Sequence, residues 1–314
     1  MTKVFIDGQE GTTGLNIARR LAGQKDIHVI PIEDALRKDA QERRRKLLEA
    51  DVAILCLPDE AAKETVRLAE GTGVRILDAS TAHRVQEGWA YGFPELSPGH
   101  REAVRKGSRI SVPGCHASGF AALVYPLVQA GVLRPDYPIA CHSVTGYSGG
   151  GKKMIAEYES ADRPQALASP RQYGLSQNHK HLPEMQKVCG LSYAPIFSPI
   201  VADFYSGMAV SVPLYARLLQ GNPTQASVHA MYCAHYQGER LIRVMPLGAE
   251  AGLGGFLAAN APAGKDYLEI FVSGNDDRLL LTARFDNLGK GASGAAVQCL
   301  NLMLGAEEFS GLYC

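Results

Sequence analysis

Cys115 stands in the run Val112-Pro113-Gly114-Cys115-His116-Ala117-Ser118. Ile110 and Val112 read as the end of an apolar strand and Pro-Gly as a turn. Ala117, Phe120, Ala121, Val124, Leu127 and Val128 then keep helical register just past the cysteine. A helix N-terminus favours an anion and raises the thiolate fraction of a thiol placed there. Gly114 leaves room for a planar acyl group to reach the sulfur. This is the setting of a nucleophile. Cys56, Cys189, Cys233 and Cys299 fall in apolar or helical patterns and read as inert.

A base for such a nucleophile is offered by Asn178-His179-Lys180-His181-Leu182-Pro183-Glu184. Histidines two apart share a side on an extended segment and face apart on a helix. Pro183 starts a helix containing Glu184, so the histidines lie just before it. One imidazole serves as acid and base, and the other orients substrate. The pair is also two thirds of a metal site, but no third ligand with matching spacing follows, so no metal is expected. His116 reads as a residue of the first helical turn. The run Thr145-Gly146-Tyr147-Ser148-Gly149-Gly150-Gly151-Lys152-Lys153, with its hydroxyls and cations, suits a phosphate.

Near the start, Gly8, Gly11 and Gly14 recur at spacing three between a strand at 3–7 and a helix at 13–22. Glycines there let the backbone approach a pyrophosphate, the helix start offers N–H groups, and Thr12 and Thr13 add hydroxyls. After a second strand at 27–32 come Glu33 and Asp34, which suit a ribose, and then Arg37 and Lys38, which suit a 2′-phosphate. The latter pair favours NADPH slightly. Ser80, just past the strand 74–78, is a candidate donor to the cofactor, and Arg84 binds a substrate anion or a structural acid.

Positioning these groups requires two kinds of architecture. Strands at 27–32, 52–57 and 74–78 alternate with helices at 38–49 and 59–71, which argues for a doubly wound, mostly parallel sheet. Beyond residue 113, strand-like runs at 138–145, 208–214, 227–233, 241–246, 268–272 and 278–285 lack regular intervening helices. They predict an α+β domain whose mixed or antiparallel sheet carries helices on one face. A last helix covers 292–304, and the glycine-rich runs 146–151 and 252–255 read as site loops.

With 314 residues, 46% of them hydrophobic, the chain suffices for two domains. Lys+Arg 32 balance Asp+Glu 32, so neither nucleic acid nor an anionic membrane is expected as partner. The basic run Arg43-Arg44-Arg45-Lys46 reads as a solvated helix face. No apolar run reaches the roughly 18 residues that span a bilayer, and the N-terminus enters a strand without a signal-peptide pattern. Seven scattered cysteines without a C-x-x-C pair fit a reducing cytoplasm.

Taken together, Gly-x-x-Gly-Thr-Thr-Gly14, Val-Pro-Gly-Cys115, the serine-glycine loop at 143–152, His179-Lys-His-x-Pro-Glu184 and Asp286-Asn-Leu-x-Lys-Gly-Ala-Ser-Gly294 resemble the N-acetyl-gamma-glutamyl-phosphate reductase family over nearly the whole chain. The length, His116-Ala-Ser where longer relatives carry a tyrosine, and Gly207-Met-x-Val-x-Val-Pro213 resemble its short branch. The resemblance implies a cytoplasmic homodimer or homotetramer that uses NADP(H) to reduce an acyl phosphate, with release of phosphate, in arginine biosynthesis. It implies Cys115 as nucleophile and His179 as acid/base. Ser148, Gly149, His181 and Glu184 join Arg84 as substrate contacts, and Asn287 and Gly291 reach the cofactor. It also implies that the terminal helix returns to the nucleotide-binding domain, giving 1–113 with 287–314, beside a catalytic and oligomerisation domain at 114–286. The alternatives are an aspartate-semialdehyde dehydrogenase-like reductase, whose pattern has Asn where Gly114 stands, a glyceraldehyde-phosphate dehydrogenase, whose Thr-Thr is absent, and a nucleotide-binding regulatory module without catalysis.

Overall fold

The computed structural model describes all residues, Met1–Cys314, and divides them into two compact units. The first comprises Met1–Gly114 and Ala292–Leu312, the second Cys115–Gly291 with Tyr313–Cys314. Residues 287–291, expected with the nucleotide-binding part, cluster with the second unit.

The first unit runs β1 (Thr2–Asp7), α1 (Thr12–Leu21), β2 (Ile27–Ile30), α2 (Ala40–Glu49), β3 (Val52–Leu55), α3 (Asp59–Leu68), β4 (Arg75–Asp78), β5 (Ala90–Tyr91), α4 (Pro98–Lys106) and β6 (Arg109–Ser111). Its six-stranded sheet has the order β2-β1-β3-β4-β6-β5 and is parallel throughout. Every residue of β3 is buried, as a strand covered on both faces must be. One face packs Ile17, Leu21 and the terminal helix residues Val297 and Leu300 against Val4, Ile6, Ile54 and Leu77. The other packs Leu47 and Ala62 against Phe5, Ala53, Leu55 and Ile76.

The basic run on α2 departs from a solvated face. Arg44 and Arg45 are exposed, but Arg43 is buried and reaches the Asp7 carboxylate at 3.1 Å, with Glu64 at 2.8 Å and the Thr65 hydroxyl also on its guanidinium. Thr65 donates to the same Asp7 oxygen at 2.8 Å. Burial lifts the Asp7 carboxyl above its ordinary range, and Arg43 and Thr65 act against that lift. The ion pair ties α2 and α3 to the last residue before the glycine turn.

The second unit runs α5 (Cys115–Gln129), β7 (Ala140–Gly146), α6 (Gly151–Glu159), β8 (Arg171–Gln172), α7 (Leu182–Cys189), β9 (Ile196–Ala202), β10 (Met208–Tyr215), α8 (Gln225–His235), β11 (Ile242–Val244), β12 (Leu268–Gly274) and β13 (Arg278–Phe285). A five-residue π turn, Gly289–Ser293, leads to α9 (Gly294–Leu304). Its sheet is β11-β12-β13-β10-β7-β9-β8, with β11 parallel to β12, β7 parallel to β9, and the other pairs antiparallel. The run 227–233 is not a strand but the body of α8. Thr224 caps its start by accepting from Ser227 N–H, and Val228 and Tyr232, four apart, make the buried side. Tyr232 and Tyr236 then donate to the carbonyls of Leu123 and Ala122 on α5. The strand β9 escapes sequence reading because Pro199 interrupts it.

Replacing Arg43 with Met should leave the Asp7 charge buried without its partner and cost about 3–5 kcal/mol of stability. Urea unfolding measures this, and an unchanged midpoint would show the pair to be dispensable.

Candidate active site

Cys115 is the first residue of α5, a helix buried along nearly its whole length. The sulfur therefore sits where backbone N–H groups lack intrahelical acceptors. The π turn passes close by: a Cβ built on Gly291 would lie 3.0 Å from the Cys115 Cβ and 3.2 Å from the Phe285 ring. Any side chain there would press on Cys115. Cys115 is half-buried, whereas Cys141 and Cys189 are buried and their thiols are held well above the ordinary range by burial. Burial, with Asp78 and Asp7 nearby, pushes Cys56 up to about 12.

His116, assigned from sequence only to a helical turn, proves to be the centre of a buried cluster. Its Nδ1 meets the Ser143 hydroxyl at 2.7 Å and its Nε2 the Tyr173 hydroxyl at 2.7 Å. Ring centroids of His179 and His181 lie 5.7 and 5.5 Å from it, and Phe197 faces it edge-on at 5.2 Å. Burial first, and His179 second, push the His116 pKa down to about 3, so the imidazole is neutral at any working pH. Tyr173 is pushed the other way by burial and by the Cys115 charge, so the phenol keeps its proton. No spacing rule links residues 116, 143 and 173. The one sequence signal was the histidine beside the cysteine.

The same cluster supplies the third histidine missing from the sequence reading. Ligand atoms of His116, His179 and His181 lie within 4.8 Å of one another. A metal would nevertheless have to displace either Ser143 or Tyr173 from His116. The arrangement fits proton handling better. His179 accepts the backbone N–H of His181 on Nδ1 at 3.2 Å, which in the neutral ring places the proton on Nε2. Glu184 is buried in the first turn of α7.

The structure places the other expected residues as follows. Ser148 is buried and accepts from the Asn287 amide at 3.0 Å, and Asn287 in turn accepts Gly207 N–H at 2.8 Å. Asn287 thus braces the serine-glycine turn, and Gly149 lies against it. Lys152 and Lys153 are exposed on α6. Residues 252–255 are all exposed and outside the histidine cluster.

In the first unit, Gly8 has φ +86°, and a Cβ there would sit 2.4 Å from the Cys56 carbonyl oxygen. A Cβ on Gly14 would sit 2.6 Å from the Gly8 oxygen. Both glycines are therefore required by the turn itself. Gly11 is the N-cap of α1 and supplies no side-chain cap, and Thr12 and Thr13 begin the helix. This cradle fits a pyrophosphate. Glu33, Asp34, Arg37 and Lys38 lie exposed in the segment after β2.

Ser80 and Arg84 both make local hydrogen bonds. Ser80 donates its hydroxyl to Asp78 at 2.7 Å, which shapes the turn after β4. The Arg84 guanidinium holds the carbonyls of Val112 at 2.9 Å and Ala79 at 3.2 Å, bracing the segment that leads to Cys115.

Comparisons with known proteins agree with this division. Residues 115–287 match the semialdehyde dehydrogenase dimerisation domain and residues 17–105 the semialdehyde dehydrogenase NAD-binding domain. The N-acetyl-gamma-glutamyl-phosphate reductase 2 of Nostoc sp. is 48% identical over 99% of both chains. The N-acetyl-gamma-glutamyl-phosphate reductase of Brucella ovis is 50% identical over 96% of this chain and 99% of its own. Among solved structures, aspartate semialdehyde dehydrogenase II of Vibrio cholerae, complexed with ASA, superposes with TM-score 0.72 at 17% identity, covering 97% of this chain and 98% of that one. The enzyme from Francisella tularensis gives TM-score 0.73 at 15% identity, covering 97% and 100%. These structural likenesses concern the fold.

Iodoacetamide should abolish activity in step with labelling of Cys115. Modification of exposed Cys233 and Cys314 should leave activity intact, and activity that follows either of them would refute the assignment. Acid stability offers a second check. His116 stays neutral when folded down to about 3, but the unfolded residue takes a proton below about 6.5. Unfolding therefore binds a proton in that window, and His116 costs stability as pH falls through it. His116→Gln should flatten the fall measured by urea unfolding, and an identical slope would contradict it.

Proposed function

The chain belongs to the semialdehyde dehydrogenase family, among the N-acetyl-γ-glutamyl-phosphate reductases, and from that premise we propose that it reduces N-acetyl-γ-glutamyl phosphate to N-acetylglutamate semialdehyde with release of phosphate. The observation that carries the reading is Cys115 at a buried helix start beside a histidine cluster.

Each group has a task in that reaction. The Cys115 thiolate adds to the γ-carbonyl carbon, and the bond from that carbon to the phosphate oxygen breaks. A thioester remains on Cys115 and inorganic phosphate departs. Backbone N–H groups at the start of α5 stabilise the oxyanion as it forms. NADPH, when bound in the Gly8–Gly14 turn, supplies the hydride that reduces the thioester to a thiohemiacetal. His179 Nε2–H protonates or hydrogen-bonds the thiohemiacetal oxygen and receives the proton back as the carbon–sulfur bond breaks and the thiolate is restored. His181, Glu184, Ser148 and Gly149 hold the substrate, and Asn287 orients Ser148. Gly291 keeps the approach to Cys115 open. Arg37 and Lys38 pair with the 2′-phosphate and favour NADPH over NADH.

The outer face of the second unit's sheet supports self-association. Ile196, Pro213, Tyr215 and Leu280 are exposed there, opposite the face that α5 and α8 cover. A second copy of the chain, in a homodimer or homotetramer, covers this face. No helix is long and apolar enough to cross a membrane, and the assignment carries a cytoplasmic location with it.

His179→Asn should still acylate Cys115 yet slow later steps by about 10²–10⁴ and remove a limb of the kcat–pH profile. If only KM rises, or if His181→Asn carries the kcat loss instead, the roles given to these histidines are wrong. In parallel, the double change Arg37→Ala, Lys38→Ala should weaken NADPH far more than NADH, and equal losses would remove these residues from the phosphate site.

A further inference from the structure

Ser143 has no contact with solvent, and its hydroxyl meets His116 Nδ1 at 2.7 Å. A buried hydroxyl must place its proton on an acceptor, because leaving it unpaired costs about 1–3 kcal/mol. Ser143 therefore donates to Nδ1. The neutral imidazole then carries its proton on Nε2 and donates to the Tyr173 oxygen, also at 2.7 Å. With a lone pair taken by His116, the phenol keeps its own proton to give elsewhere. Tyr173 stands in the same cluster as His179, ring centroids 5.8 Å apart, and within electrostatic reach of Cys115.

We infer that His116 is a positioning residue: held by Ser143, it fixes the Tyr173 phenol so that its proton meets the oxygen of the acyl group carried by Cys115. Tyr173 is then a further hydrogen-bond donor to that oxygen, beside His179 and the start of α5. A protonated His116 would donate from Nδ1 to Ser143, reversing that bond and abolishing the directionality. Burial and the neighbouring His179 hold it neutral, and so the line from Ser143 to Tyr173 keeps one sense at all working pH. The inference rests on the acyl-phosphate reaction proposed above.

The test compares Tyr173→Phe, His116→Leu, His116→Gln and the double variant His116→Leu, Tyr173→Phe. Tyr173→Phe and His116→Leu should each lower kcat by about 10²-fold, with KM changed much less. The double variant should be no worse than either single change, since the two act as a unit. The glutamine amide can donate where Nε2–H does, so His116→Gln should recover to within about tenfold of wild type. The kcat–pH limb assigned to His179 should persist throughout, and iodoacetamide should alkylate Cys115 at a nearly unchanged rate, because alkylation forms no oxyanion. Full activity of His116→Leu, multiplying losses in the double variant, or loss of the pH limb would overturn the inference. ¹⁵N spectra of wild type give a reading that needs neither substrate nor variant. They should show His116 neutral, with its proton on Nε2, from about pH 5 to 8; a proton on Nδ1 or an imidazolium overturns the inference. A wild-type enzyme that turns over another acyl phosphate would overturn the substrate assignment alone, and the same comparison then runs on that substrate.

Discussion

The seating of α5 is the constraint on which the site depends. A sulfur at a helix start is useful only if the helix cannot shift, and α5 is fixed by contact too close for any side chain. A Cβ on Gly119 would lie 2.5 Å from Val210 Cγ2 and 2.8 Å from the Phe285 ring. Helix and sheet meet there backbone to side chain. From α5 the same sheet presents Ser143 on β7 to His116, and Phe285 on β13 supports the π turn that brings Gly291 against Cys115. A substitution at Gly119 would move Cys115 and His116 together.

The nucleotide-binding unit solves a related problem with different parts. Its turn has no room at Gly8 and Gly14, so its shape follows from the backbone. What holds that backbone is Asp7, where Arg43 and Thr65 converge. A buried ion pair adds little net stability over apolar packing, but its geometry is specific. Here it registers α2 and α3 on the strand that ends at the turn.

Much of this was legible in the residues. Strand–helix alternation marks the parallel sheet because its period and turn residues repeat, and Cys115 stands out because Pro-Gly and a helix start adjoin it. Period-two alternation misled at 227–233, where Val228 and Tyr232 serve a helix whose start is set by the Thr224 cap. Pro199 hid β9. Side-chain commitments were out of reach: Arg84 on the Val112 carbonyl, Ser80 on Asp78 and Arg43 on Asp7 are tertiary facts. The largest gap was His116. Local sequence gives its helical turn, whereas its role comes from Ser143 and Tyr173, far away along the chain.

The central claim is a covalent acyl intermediate on Cys115. Rapid mixing of the enzyme with N-acetyl-γ-glutamyl phosphate in the absence of NADPH, followed by phosphate assay and mass analysis of the quenched protein, tests it directly. The account predicts a burst of about one phosphate per active site, with one acyl group on Cys115 that later NADPH discharges as the aldehyde. Phosphate release that waits for NADPH, with Cys115 unmodified throughout, would contradict it.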